Sequence, residues 1–178
     1  MGFIGKHLEK LDVRYGLYFF LLGDDRVSDH VSDFFRDRFE LIAERIGENA
    51  TIVKSYQGSL IPEELFEAIR LLDRSDGETV ERIIRGVVEQ SPALLILKKH
   101  PNCLTNTEEI IDCIPFTLLS DLYSNNINLL NALIDCARGG HLLKNAVDAW
   151  QPSSGVSFSL SPFPPFISLD VPLSRVNR

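Results

Sequence analysis

Two continuous apolar runs predict buried β-strands. Leu17–Leu22 contains six consecutive apolar residues, three of them aromatic, and it lies between Gly16 and Gly23. Ala93–Leu97 is a second run without a polar position. Strands that are covered on both faces of a sheet have this pattern, because neither face has to meet water. Residues 51–56, which are rich in β-branched side chains, predict a further strand between these two.

Helical periodicity fills the segments between the predicted strands. An apolar stripe runs through residues 28–46, with Ser28 placed to cap the first turn and Gly47 placed to end the helix. Pro62 suits the first turn of a second helix, and residues 78–89 predict a third. The resulting order β-α-β-α-α-β predicts an α/β fold with a small, mainly parallel sheet flanked by helices.

The two ends of the chain have different patterns. Residues 1–14 show the rhythm of a short amphipathic helix. Thr105 and Glu108 have capping-box spacing before Ile110, Ile111 and Ile114, which predicts a helix there, and shorter helices are expected at residues 116–123, 127–137 and 141–150. From residue 151 onward Pro, Ser and Phe are frequent. We therefore expect one α/β domain over residues 1–150, with a sheet-bearing core at 15–100 and a helical part at 101–150, followed by an extended tail at 151–178.

Charge and composition exclude several classes of function. The 178 residues carry a formal net charge of -7, which disfavours nucleic-acid binding because that depends on clustered Lys and Arg. The longest apolar run is far shorter than the roughly 20 residues of a membrane span, so no membrane contact is expected. Three cysteines without a C-x-x-C pair predict neither a disulfide scaffold nor a zinc site, and we expect a cytoplasmic protein. Glycine-rich phosphate-binding motifs and the G-x-S-x-G motif are missing from the sequence, and no cofactor is predicted.

The turn after the first buried strand is the candidate functional site. Asp24 and Asp25 follow Leu17–Leu22 directly, and ligands of open α/β sheets bind at the carboxyl ends of the strands. Two interpretations are open: an acidic pair that contributes to a divalent-metal site, or a solvated turn that leads into a helix. Metal binding would need more ligands than two adjacent carboxylates.

The segment Ser91-Pro92 before Ala93–Leu97 resembles the part of thioredoxin-like proteins in which a cis-proline precedes an internal strand. The order of the preceding elements also fits that family. Two features differ: two helices are predicted between the second and third strands, and no antiparallel partner strand is evident after Leu97. In that family the redox cysteines lie on the turn after the first of these strands. Residues 23–28 contain no cysteine, so thiol-disulfide exchange at this place is excluded.

The resemblance implies that Pro92 faces this turn and shapes a binding groove there. The alternative is a trans-proline that only begins the strand. The groove residues would be Asp24, Asp25, Arg26, Ser28 and Pro92. Our first hypothesis is a non-enzymatic protein-interaction or regulatory domain that binds a protein partner or associates with itself. The alternative is a small-molecule or divalent-metal-dependent enzyme with its site at Asp24 and Asp25. No catalytic residue is predicted.

Overall fold

The computed structural model describes residues 1–23, 30–72 and 76–139, together with the backbone of residues 156–158 and 167–169. A five-stranded sheet forms the centre of the fold. Its strands are β1 (Gly2–Ile4), β2 (Leu17–Leu22), β3 (Ala50–Lys54), β4 (Ala93–Leu97) and β5 (Ile110–Pro115). Their spatial order is β1-β3-β2-β4-β5. The pairs β1–β3 and β2–β3 are parallel, whereas β2–β4 and β4–β5 are antiparallel. The α/β class is confirmed, but the sheet is mixed where the sequence predicted a mainly parallel one.

Within the described residues, six α-helices cover the two faces of this sheet. They are α1 (His30–Asp37), α2 (Phe39–Arg45), α3 (Ile61–Arg70), α4 (Asp76–Gln90), α5 (Phe116–Leu122) and α6 (Asn126–Ala137). Alternate side chains of β2 enter opposite layers, as the pleat of a strand requires. Phe19 packs with α1, α2, α5 and α6, while Phe20 packs with α3, α4 and the N-terminal segment. The strands β2, β3 and β4 thus have a core on each side, as the uninterrupted apolar runs of β2 and β4 predicted for those two strands.

The single helix predicted for residues 28–46 is broken at Arg38. That residue has φ -119° and separates α1 from α2, while residues 28 and 29 lie outside the described part of the chain. After this break, α2 packs closely on β1, which is an edge strand of the sheet. A Cβ atom on Gly2 would lie 2.8 Å from both Phe39 and Ala43, so only glycine permits this approach of α2 to β1.

A strand occupies residues 110–115 where capping-box spacing predicted a helix. Thr105 does not cap a helix: its backbone N–H donates to Oε2 of Glu109 at 2.7 Å, within a short turn. The following residues pair with β4, whose backbone groups would otherwise be buried without partners. Isoleucine is β-branched and favours this outcome. The register shifts opposite Ile96 and Leu97, and Ile110 and Ile114 consequently lie in different core layers.

The sheet extends beyond residues 15–100 at both ends, because β1 and β5 lie outside that range. Residues 1–14 contain β1 and a short 3-10 turn at Leu8–Lys10 instead of an amphipathic helix. Helices α5 and α6 confirm the prediction for residues 116–123 and 127–137. The helix predicted at 141–150 lies outside the described residues. Within the predicted tail, β6 (Val156–Phe158) and β7 (Ile167–Leu169) form an antiparallel pair, and its other residues also lie outside. None of the helices within the described ranges is both long and apolar enough to cross a membrane.

Candidate functional site

The carboxyl end of β2 meets the beginning of β4. Leu22 lies opposite Ala93 in the antiparallel register, which brings Gly23 next to Pro92. Gly23 has φ +72°, a conformation that favours glycine, and β2 ends at the residue before it. A Cβ atom on Gly23 would lie 3.4 Å from Cγ1 of Val88 and 3.7 Å from Cα of Pro92. This end of β2 is therefore closely bordered by α4 and by the residue that precedes β4.

Pro92 is buried and held by hydrogen bonds to its carbonyl oxygen. The backbone N–H of Phe116 donates to that oxygen at 2.7 Å, and the hydroxyl of Ser91 donates to it at 3.0 Å. Phe116 is the first residue of α5, and its ring stacks on Phe35 of α1 with 5.2 Å between the centroids. The start of β4, the start of α5 and helix α1 are thereby joined beside Gly23.

The described residues include only one of the five groove residues that the sequence predicted. Pro92 lies beside Gly23, at the carboxyl edge of β2. Four others belong to the turn at residues 24–29, which lies outside the described part of the chain: Asp24, Asp25, Arg26 and Ser28. The groove that they would form with Pro92 stays a prediction. Gly23 and His30 are the described residues on either side of this turn.

One polar contact next to this edge was not predicted from the sequence. Nδ1 of His30, the first residue of α1, lies 3.2 Å from Oγ of Ser120 on α5. The hydroxyl can donate to Nδ1 when the ring proton is on Nε2, and this arrangement lets an imidazole accept a hydroxyl proton. Ninety positions separate the two residues along the chain, so no local spacing could reveal the contact. The helices α1 and α5 bring them together only after the sheet has formed.

At the opposite end of β4, the contacts of His100 indicate a structural role. Its ring is buried, Nε2 donates to the carbonyl oxygen of Leu8 at 3.2 Å, and Nδ1 accepts from the backbone N–H of Asn102 at 3.2 Å. Burial lowers the pKa of His100, which keeps the ring neutral. Tyr18 meets the ring edge-on at 5.8 Å between the centroids. These contacts occupy both ring nitrogens and fix the N-terminal segment.

A buried carboxyl group lies near the same end of the sheet. Glu109 forms an ion pair with Lys99 and accepts from the backbone N–H and the hydroxyl of Thr105. Burial acts to raise the pKa of Glu109, but the hydrogen bonds from Lys99 and Thr105 outweigh it, and the pKa is lowered below its usual value. Glu109 is thus an ionised group that anchors the connection between β4 and β5.

The three cysteines lie away from the Gly23–Pro92 edge. Cys103 is exposed on the turn after His100, Cys113 is part of β5, and Cys136 is on α6. Burial and the nearby Asp112 raise the pKa of Cys113 and raise that of Cys136 to about 11. Both thiols are therefore protonated at neutral pH. In residues 1–23, 30–72 and 76–139, no group of three or more His, Cys, Asp or Glu side chains is arranged to hold a metal ion.

We compared the chain with protein-family models, with curated proteins and with solved structures, and none of them matches it.

Proposed function

We propose that this protein is a non-enzymatic interaction or regulatory domain that binds a protein partner at the carboxyl edge of β2. The observation that carries the proposal is the contact between Gly23 and Pro92 at the start of the predicted groove. Strand ends of this kind are where α/β sheets bind their ligands. The turn that follows contains aspartates, an arginine and a serine but no cysteine, so it offers polar contacts and no thiol chemistry.

We propose in addition that the fold is related to the thioredoxin-like class. The order of strands and helices supports this, as does the position of Pro92 directly before β4. The antiparallel partner that the sequence did not reveal is present as β5. The two helices α3 and α4 between β3 and β4 are a difference from that class.

A rigid edge suits a binding role. Because the Pro92 carbonyl is bonded to α5 and Ser91, little conformational entropy has to be lost there when a partner binds. The adjoining turn carries Asp24, Asp25 and Asp29 against the single Arg26, which favours a partner surface with positive charge. His30 is exposed beside it and can contribute a further polar contact.

Site-specific photocrosslinking in extract of the source cells tests this proposal. A photoreactive amino acid at position 30 lies at the proposed edge, and the same group at exposed Lys98 lies at the other end of β4 and serves as the control. We expect a defined crosslinked protein from position 30 that is missing from position 98. The variant Asp25→Arg should abolish that product. Equal products at both positions, or none at position 30, would refute the proposal.

A second candidate is a small-molecule or divalent-metal-dependent enzyme with its site at Asp24 and Asp25. The contact between His30 and Ser120 favours it, since it places a base next to a hydroxyl beside the same turn. Thermal unfolding in the presence of Mg²⁺, Mn²⁺ or nucleotides provides the test, because a bound ligand raises the melting temperature. We expect a shift in the wild type that Asp24→Asn abolishes. A wild type that shows no shift with any of these ligands would eliminate this candidate.

A further inference from the structure

The outer side of β1 is an open edge of the main sheet. β1 pairs with β3 on its inner side, and no other strand within the described residues pairs with it. The N–H of Ile52 donates to the carbonyl oxygen of Met1 at 3.0 Å. Because backbone direction alternates along a strand, Phe3 also faces β3, whereas the N–H and C=O groups of Gly2 and Ile4 face outward. Two residues of β1 thus offer backbone donors and acceptors to a further strand.

The residues of β1 itself are glycine and two large apolar residues. Edge strands are commonly protected from pairing by charged residues or proline, and Gly2–Ile4 contains neither. Ile4 is 58% exposed, and Tyr56, just past the end of neighbouring β3, is 47% exposed. Both side chains line the same shallow hollow at the C-terminal end of β1. A strand added here would cover apolar surface as well as form hydrogen bonds.

The two ends of β1 differ in charge. Both ends carry a shallow hollow on the side of α2, and Ile4 and Phe39 line both hollows. The hollow toward the N-terminal end has three carboxylates, those of Glu40, Glu44 and Glu48, and two cations, Arg14 and the amino group of Met1, so carboxylates are in excess by one. The hollow toward the C-terminal end has an excess of cations, and its charged residues are Arg36, Asp37, Arg38, Glu40 and Lys54.

We propose that two copies of this protein associate through antiparallel pairing of β1 with β1, about a two-fold axis at Phe3. Gly2 of one copy then faces Ile4 of the second copy, and each such pair exchanges two backbone hydrogen bonds. Antiparallel pairing brings the N-terminal end of one β1 to the C-terminal end of the other. The acidic hollow of each copy therefore meets the basic hollow of its partner, as a self-complementary interface requires. The sheets of the two copies join into one, and Ile4 and Tyr56 become covered.

Sedimentation velocity over a concentration series, on the full chain, tests this interface. We expect a reversible dimer that dissociates on dilution and weakens as salt is added, because its charge contacts are exposed to solvent. Ile4→Pro removes an outward N–H that β3 does not use, and proline is tolerated at such edge positions. This variant should be monomeric. Leu71→Thr changes another exposed apolar residue, 71% exposed at the end of α3, and should leave the dimer unchanged.

Charge reversal tests the antiparallel arrangement without changing β1. Glu44→Lys and Arg38→Glu, on exposed side chains of opposite hollows, should each raise the dissociation constant of the dimer about tenfold, since each creates two repulsive contacts across the two-fold axis. The double variant should restore most of the affinity. If Ile4→Pro proves to be unfolded by circular dichroism, these two variants decide the question. A wild type that is monomeric up to millimolar concentration, or a double variant as weak as the single ones, would overturn the proposal.

Discussion

Substitution of Gly77 by alanine should destabilise the protein, although alanine is the better helix former. Gly77 is the second residue of α4, and its backbone N–H donates to the carbonyl oxygen of Leu72 at 3.0 Å. A Cβ atom there would lie 2.0 Å from that oxygen and 2.6 Å from the carbonyl oxygen of Ile69. These atoms belong to the backbone at the end of α3, so no side-chain rotation can relieve the crowding.

The expected magnitude follows from two opposing effects. Replacement of glycine by alanine within a helix stabilises that helix by up to about 1 kcal/mol. Overpacking costs about 1–3 kcal/mol, and a weakened backbone hydrogen bond adds about 1 kcal/mol. The crowding at Gly77 requires a backbone displacement of well over an ångström, so the cost exceeds the gain. We expect the free energy of unfolding to fall by about 1–3 kcal/mol in Gly77→Ala, which corresponds to a decrease in Tm of roughly 2–12 °C in a chain of this size.

Gly86 in the same helix is the matched control. A Cβ atom there would meet nothing within 4 Å, so Gly86→Ala should raise the free energy of unfolding by about 0.5–1 kcal/mol. Urea unfolding followed by far-UV circular dichroism measures both variants, and unchanged m-values would show that the unfolded states are comparable. A Gly77→Ala protein as stable as the wild type would refute the reasoning from close packing of α3 against α4.

Three further predictions concern titratable groups. The pKa of Glu109 is lowered in the folded protein, so its ionised form stabilises the fold above the unfolded-state pKa. The stability lost in Glu109→Gln should therefore be greatest at neutral pH. Urea titrations should show this loss disappearing as the pH falls through the folded-state pKa, which lies below 4.5. Burial lowers the pKa of His100, so wild-type stability should decline as the pH falls below 6.5, and a folded His100→Gln protein should lack that part of the decline. A thiol reagent should modify exposed Cys103 in the native protein much faster than the partly buried, protonated thiols of Cys113 and Cys136. Native labelling of either of these two as fast as that of Cys103 would contradict this.

The strands that the sequence revealed are those that lie in the middle of the sheet. β2 and β4 are buried on both faces, and such strands leave continuous apolar runs in the sequence. β1 has only three residues, and it is recognisable only from its pairing with β3 and from the close approach of α2 to Gly2. In β5, Asp112 interrupts the isoleucines, so the pattern matches a helix and a strand equally well. Residues 110–115 form a strand because the backbone groups on the open side of β4 need a hydrogen-bonding partner. This requirement cannot be recognised from residues 110–115 alone.

The candidate site also combines a residue that the sequence singled out with contacts that depend on tertiary packing. Element order and one dipeptide drew attention to Pro92, and this residue lies beside the end of β2. The contact between His30 and Ser120 depends on how α1 and α5 pack, which no pattern in either segment records. Phe35 and Phe116 hold those helices together, and each appeared in the sequence only as one more apolar residue.

The hydrogen bond between His100 and Leu8 has a consequence for synthesis on the ribosome. The imidazole that binds the carbonyl oxygen of Leu8 lies 92 positions later in the chain, just past β4. A nascent chain that ends within α4 can already pair β1 with β3 and can bond the backbone N–H of Leu8 to Glu64. The bond from His100 has to wait until translation has passed β4, so the contacts of this segment form in two steps.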